Sequence, residues 1–125
     1  TRYWDCCKPS CAWVDNAGVN PPVASCKADG VTLTDLESQS GCVAKGTAFA
    51  CNAQQPIVVN ETFSLGFAAV SFSGAADKSL CCACFLLSFK GDLEGKQMVV
   101  QVTNTGEALA VNQFNMAIPG GGFGA

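Results

Sequence analysis

Hydrophobic and polar residues are distributed differently in the two halves of the chain. Residues 1–55 are interrupted by turn-forming combinations of Gly, Pro, Asn and Asp, which favour loops. These are Asn20-Pro21-Pro22, Ala28-Asp29-Gly30, Ser40-Gly41 and Lys45-Gly46. Thr34 and Glu37 have the spacing of a helix capping box, so we predict one short helix over residues 34–39. The rest of this half is expected to be loop.

From residue 56 the pattern changes to short runs of β-branched and aromatic residues, separated by Gly, Asp and Asn. Such runs predict β-strands. They are Pro56–Asn60, Phe67–Ser73, Cys84–Phe89 and Gln97–Thr103. The last two are expected to lie side by side, joined through residues 90–96. The spacing suggests a small β-barrel with long loops. Residues 119–125 form no element of their own and are expected to lead into further chain.

Composition limits the class of protein. The chain has 125 residues, of which 49% are hydrophobic and 14% charged, and this size fits one domain. No apolar run approaches the roughly 18 to 20 residues that cross a membrane, so a soluble protein is expected. The net charge is −3 and the seven Lys and Arg are scattered, which excludes a typical nucleic-acid surface.

Nine cysteines in 125 residues point to an oxidising compartment and a disulfide framework. A zinc site is the alternative, but it needs two CxxC knuckles or Cys/His pairs, and the sequence has no His and a single CxxC spacing, Cys81 to Cys84. No metal is therefore expected. Because nine is odd, at least one Cys must lack a partner within these residues. No signal peptide is visible, which fits a mature secreted protein. Asn60-Glu61-Thr62 is an N-glycosylation sequon and agrees with secretion.

Several motifs, in order along the chain, resemble those of glycoside hydrolase family 45 endoglucanases. They are Thr1-Arg2-Tyr3-Trp4-Asp5, Lys8-Pro9-Ser10-Cys11, Leu65-Gly66-Phe67-Ala68-Ala69, Cys81-Cys82-Ala83-Cys84 and Ile118-Pro119-Gly120-Gly121-Gly122. The resemblance covers residues 1–125 and implies a six-stranded double-psi β-barrel, mainly β, with long loops pinned by disulfides. Family domains are longer, so residues 1–125 are expected to be a single partial catalytic domain, incomplete at the C-terminus and unstable if made alone.

The resemblance also implies a disulfide pattern. Three pairs are expected within the chain, namely Cys7 with Cys42, Cys11 with Cys81, and Cys26 with Cys51. The partners of Cys6, Cys82 and Cys84 are expected beyond Ala125.

The chemistry implied by the resemblance is hydrolysis of β-1,4-glucan with inversion of configuration by two carboxyl groups, a base and an acid. Asp5 lies at the position of the general base. The alternative for Asp5 is a loop residue that accepts backbone N–H bonds beside a disulfide.

The general-acid position is occupied by an amide. Family members carry Asp where this chain has Asn115, often have His in place of Gln113, and have a further acid in place of Ala108. An amide cannot deliver a proton, and loss of a general acid costs roughly 10²–10⁴ in rate. Glu107 is the nearest carboxyl in sequence and is a possible substitute acid.

Aromatic side chains can stack on glucose rings, because the C–H faces of sugars pack on apolar surfaces. We expect Tyr3 and Trp13 at the cleft, with Lys8 and Gln113 as further candidate substrate-binding residues; Trp4 can instead be core. Arg2 and Lys8 can also hold the carboxylate and the loops of the site rather than contact sugar.

Two functions are compatible with the sequence. One is a secreted, monomeric cellulase, an endo-β-1,4-glucanase that acts on cellulose or other β-glucan and needs no cofactor. The alternative is a non-catalytic, expansin-like glucan-binding protein that keeps the cleft without the acid. Expansins typically keep the acid and lose the base, which is the reverse of this chain.

Overall fold

The computed structural model describes residues 6–73, 77–105 and 112–117 of the chain. They form a mainly β structure. Its five strands are β1 (Ile57–Val58), β2 (Phe63–Ser71), β3 (Cys84–Ser88), β4 (Gln97–Thr105) and β5 (Gln113–Met116). Three short 3-10 helices lie at Ser10–Ala12, Asp77–Leu80 and Gly91–Leu93. Residues 6–55 are loop and turn apart from the 3-10 helix Ser10–Ala12 and isolated bridges, as their turn sequences predict.

The strands form one sheet with β2 at its centre. The order is β1-β2-β4-β3, and β5 pairs with β2. β2 and β4 run parallel, with a register shift between Ala68 and Ala69. β3 and β4 pair antiparallel, from Cys84 opposite Gln101 to Ser88 opposite Gln97. The predicted pairing of these two strands is therefore confirmed.

One face of the sheet forms the core because apolar residues recur at every second position, which places them on the same side of a strand. Ala68 and Val70 of β2 and Val100 and Val102 of β4 are completely buried. In β3, Phe85 and Leu87 are half-buried on this side, whereas alternate residues are exposed. The alternation thus explains which face of each strand is covered.

A cluster of three phenylalanines, Phe72, Phe85 and Phe114, extends this core. Their ring centroids lie 5.3 to 5.5 Å apart in tilted and edge-to-face arrangements, which are the favoured geometries of aromatic pairs. Phe114 belongs to β5, so this cluster attaches the last described strand to the core.

Three disulfides join the loops to each other and to the sheet. They are Cys7–Cys42, Cys11–Cys81 and Cys26–Cys51, the same pairs that the family resemblance implied. Cys6, Cys82 and Cys84 are free thiols within the described part of the chain. Burial raises the pKa of the Cys82 thiol, and the neighbouring Cys84 raises it further.

The predicted helix over residues 34–39 is wrong. The Thr34 hydroxyl donates to the carbonyl oxygen of Ser25 instead of capping a helix. The carbonyl oxygens of Leu36 and Ser38 accept hydrogen bonds from the Lys8 ammonium. These tertiary hydrogen bonds hold the segment as loop and turn, although its local sequence favours a helix.

The strand bounds also differ from the prediction. β2 starts four residues before Phe67, because its first residues pair with both β1 and β4. Only two residues of the predicted run Pro56–Asn60 are paired, and β4 continues to Thr105. β5 was not predicted as a strand. The sheet of the described residues is open, so a closed six-stranded barrel is not confirmed. None of the helices in these ranges is long and apolar enough to cross a membrane.

Candidate active site

Several of the predicted site residues lie outside the described residues. These are Tyr3, Asp5 and Glu107, together with Trp4, Arg2 and Ala108. The described candidates are Lys8, Trp13, Gln113 and Asn115. Lys8 and Trp13 lie on either side of the 3-10 helix Ser10–Ala12, whereas Gln113 and Asn115 belong to β5.

Asn115 lies on β5, directly opposite Ala69 of β2. Its neighbours Phe114 and Met116 pack against the core, so the alternation of the strand places Asn115 on the other face. Ala69 is 7% exposed and packs with Ala117 and Phe67. The small Ala side chain leaves room for the Asn115 amide beside this apolar group.

The side-chain oxygen of Asn115 is buried and has no hydrogen-bond partner among the described residues. A buried polar atom without a partner destabilises a fold by roughly 1–3 kcal/mol, and such atoms are uncommon away from functional sites. A carboxyl group in the same place would ionise reluctantly, because burial favours its neutral form. The position therefore suits a protonated acid, although the residue present is an amide.

A hydrogen-bond network joins the N-terminal segment to the end of β4. The backbone N–H of Ser10 donates to Oδ1 of Asn104 at 2.9 Å, and the hydroxyls of Ser10 and Thr105 are 2.9 Å apart. The backbone N–H of Thr105 donates to the Ser10 hydroxyl at 2.8 Å. These bonds fix the segment five residues after Asp5 and the strand end two residues before Glu107.

The register connects this network to Asn115. Ala69 has Asn115 as its partner on β5 and Asn104 as its partner on β4. Two strand spacings of about 4.8 Å separate β5 from β4. The Asn115 backbone is therefore roughly 10 Å from that of Asn104, which binds Ser10.

Lys8 and Trp13 are in contact. The Lys8 ammonium lies 3.5 Å from the centroid of the Trp13 ring, a cation–π arrangement. It also donates to the carbonyl oxygens of Leu36 and Ser38, at 2.5 and 3.0 Å. Lys8 is only 5% exposed, and burial lowers its pKa while Glu37 acts to raise it. These contacts indicate that Lys8 holds the loop at residues 36–38 against the N-terminal segment. They leave little of the Lys8 side chain accessible to a sugar.

Trp13 and Gln113 keep accessible surface. Trp13 is half-buried, with one ring face beside Lys8. Gln113 is exposed and lies opposite Ser71 at the start of β5. Neither residue is shown to contact Asn115. Among the described residues, the structure brings Lys8 into contact with Trp13, and Ser10 into contact with the end of β4.

A cavity of about 390 Å³ lies at the N-terminal ends of the parallel strands β2 and β4. A second cavity, of about 370 Å³, lies between the loop at residues 19–24 and the sheet. The second is lined by Phe67, Gln101 and Thr103 among others. The hydroxyl oxygen of Thr103 and Oε1 of Gln54 are buried there without partners among the described residues. Its lining is thus mainly apolar, with Gln54, Gln101 and Thr103 as the polar side chains.

Ser10, Asn104 and Thr105, which join the N-terminal segment to β4, were not identified from the sequence. Ser10 lies within the Lys8-Pro9-Ser10 motif, five residues after Asp5, and this closeness in sequence was a usable signal. Asn104 and Thr105 gave none, because the hydrogen bonds span more than ninety residues of sequence.

The sequence model of Glycosyl hydrolase family 45 matches residues 1–125. An endoglucanase from Phaedon cochleariae is 51% identical over 126 residues, which are 99% of this chain and 52% of that protein. An endoglucanase from Cryptopygus antarcticus is 50% identical and is matched over 99% of this chain and 55% of its own length.

The structure is similar to the crystal structure of a cellulase from the Antarctic springtail Cryptopygus antarcticus. The TM-score is 0.86 at 50% sequence identity, over 99% of this chain and 59% of that one. The chain thus spans about half the length of the curated relatives it matches.

Proposed function

Because the chain belongs to glycosyl hydrolase family 45, we propose that the protein is an endo-β-1,4-glucanase that hydrolyses cellulose and related β-glucans with inversion. The observation that carries this proposal is the identity of about half of all residues to two proteins named endoglucanase. The chain spans about half of those proteins, so the proposal concerns the activity of the full-length protein.

In this proposal Asp5 is the general base. Its carboxylate takes a proton from the water that attacks the anomeric carbon. The Ser10 network supports this role, because it fixes the segment that follows Asp5 to the end of β4. The disulfide of Cys7, two residues after Asp5, restrains the same segment.

Asn115 occupies the position of the general acid and cannot perform proton transfer. Its amide N–H groups can hydrogen-bond the leaving oxygen, which orients the bond but does not protonate it. The proton comes from another carboxyl, and Glu107, two residues after Thr105, is our candidate for it. The expected rate is lower than with an acid at residue 115 by about 10²–10⁴.

Tyr3 and Trp13 bind the glucan by stacking on its rings, and Gln113 contributes hydrogen bonds from its exposed position. Lys8 supports Trp13 from within the protein. The complete domain closes as a six-stranded double-psi β-barrel, acts as a monomer and is secreted. The three disulfides support secretion, since such bonds persist in oxidising compartments.

The second candidate function is a non-catalytic, expansin-like glucan-binding protein. Asn115 is the observation that favours it, because an amide at the acid position preserves shape and hydrogen bonding but removes proton transfer. The two candidates differ in whether the glucan is cleaved after it is bound.

The test uses the full-length protein and a soluble cello-oligosaccharide, with the products followed by proton NMR. Appearance of the α-anomer before mutarotation supports an inverting glucanase. Early appearance of the β-anomer contradicts inversion. Sedimentation with insoluble cellulose, without any cleavage at high enzyme concentration, would replace the first candidate by the second.

A further inference from the structure

The turn between β1 and β2 carries a motif that the proposed catalysis does not use. Asn60-Glu61-Thr62 is the single Asn-X-Ser/Thr sequence with X other than Pro in the 125 residues. All three residues are exposed. The modification chemistry of this motif requires an accessible Asn side chain in a loop of a secreted protein.

The folded turn keeps the sequon in a defined conformation. Oδ1 of Asn60 accepts hydrogen bonds from the backbone N–H of Thr62 at 2.9 Å and from its hydroxyl at 3.2 Å. The backbone N–H groups of Val59 and Asn60 both donate to the carbonyl oxygen of Phe63. The Lys96 ammonium donates to the carbonyl oxygen of Glu61 at 2.8 Å.

These bonds engage the oxygen of the Asn60 amide but not its nitrogen. Nδ2 makes no hydrogen bond with any residue in the described ranges, so a substituent on this nitrogen breaks no such contact. The folded protein is therefore compatible with a group attached at this atom.

An apolar patch surrounds the turn. Val58 is 79% exposed, Val59 54%, Ile57 52% and Leu93 47%. Val58, Asn60 and Leu93 also line the cavity of about 390 Å³. Val58 and Leu93 thus form apolar surface beside Asn60, and an exposed apolar patch often marks a site that another group covers. The apolar faces of a sugar ring pack well on such a surface.

We propose that Asn60 carries an N-linked glycan whose first sugar packs over this patch. The donor is an oligosaccharide linked to a lipid diphosphate. Nδ2 of Asn60 forms a bond to C1 of the first N-acetylglucosamine and loses one proton. The bond from C1 to the phosphate oxygen breaks, and the lipid diphosphate leaves, so no oxidant or reductant is needed.

The first test is peptide mass spectrometry of the full-length protein secreted from a eukaryotic host. The peptide containing Asn60 is expected to carry the glycan and to lose it on treatment with a glycan-releasing amidase. Thr62→Ser keeps a hydroxyl at the required place and should retain the glycan. Thr62→Ala and Asn60→Gln should abolish it. An unmodified peptide in the wild-type protein, or equal modification in Thr62→Ala, overturns the assignment.

The second test concerns the covering of the patch. Binding of a hydrophobic fluorescent dye is compared for the glycosylated protein, the same protein after glycan removal, and Val58→Thr after glycan removal. Dye binding is expected to rise when the glycan is removed, and to rise less in Val58→Thr. Equal dye binding before and after removal would show that the sugar does not cover the patch.

Discussion

At the scale of single residues, the position of Asn115 connects the fold to the chemistry. Its oxygen is buried without a partner, next to Ala69 on the central strand. Such surroundings raise the pKa of a carboxyl because they disfavour the charged form. A carboxyl side chain with these neighbours would therefore be well placed to act as an acid.

We therefore predict that Asn115→Asp in the full-length protein raises the rate of reducing-end release from carboxymethyl-cellulose by about 10²–10⁴. The gain should decline as pH rises through the pKa of the new carboxyl, which burial places above the ordinary value for Asp.

Asn112→Asp is the matched control for this change. Asn112 is exposed, and its Oδ1 accepts a hydrogen bond from the backbone N–H of Ser73, which a carboxylate can also do. We expect no gain in rate for this variant. Equal rates for Asn115→Asp and the wild type would remove residue 115 from the acid role.

At the scale of elements, the turn that follows Lys27 depends on one exposed carboxylate. Asp29 accepts hydrogen bonds from the Thr32 hydroxyl and from the backbone N–H groups of Val31 and Thr32. These bonds lower the pKa of Asp29 from 3.8 to about 2, with the Thr32 side chain as the largest cause. The folded state thus favours the charged form.

The resulting pH dependence has a definite sign. A carboxyl with a depressed folded pKa stabilises the protein above its unfolded pKa, and this is lost as pH falls through the folded value. We predict that Asp29→Asn is less stable than the wild type above pH 3.8, and that the difference disappears towards pH 2. Urea unfolding at a series of pH values measures this.

Asp15→Asn controls for the general effect of removing one exposed negative charge. A stability difference for Asp29→Asn that stays constant down to pH 2 would contradict the role given to these hydrogen bonds.

Local sequence predicted some elements of the fold correctly and others wrongly. The alternating runs identified β3 and β4 and their pairing, because each run faces the core along one side. The capping-box spacing at Thr34 predicted a helix that does not form, because Lys8 binds the carbonyl oxygens of Leu36 and Ser38. That contact spans about thirty residues of sequence, and no local pattern contains it.

β5 was missed for a related reason. Gln113-Phe-Asn-Met116 has only four residues, two of them polar, and becomes a strand because β2 offers a free edge beside Ala68 to Ser71. The motifs around Asp5 and Asn115 could be found from sequence through the family resemblance. The network of Ser10, Asn104 and Thr105 required the structure.

At the scale of the whole molecule, the Cys11–Cys81 disulfide joins the N-terminal segment to the core. Both cysteines are buried in the main apolar cluster, and the bridge spans 70 residues of sequence. Cys26–Cys51 spans 25 residues, and its cysteines are similarly buried. The two disulfides can therefore be compared for their contribution to stability, because the length of the loop that each closes is the main difference between them.

Replacing both cysteines by Ala in the Cys11–Cys81 pair should lower the free energy of unfolding by roughly 3–5 kcal/mol, and by about 1 kcal/mol more than the same change in the Cys26–Cys51 pair. The reason is that a longer closed loop removes more entropy from the unfolded chain. Guanidinium unfolding of the full-length protein measures both. An equal or reversed order would show that strain or packing, rather than loop length, determines the contribution.

We propose that the full-length family 45 protein cleaves β-1,4-glucan with Asp5 as the base, although Asn115 occupies the acid position. The most direct measurement is reducing-end release from carboxymethyl-cellulose by the full-length protein and its Asp5→Asn variant, with equal folding checked by circular dichroism. We predict slow release by the wild type that Asp5→Asn abolishes. Equal release by both proteins, or none by either while cellulose binding persists, would contradict the claim.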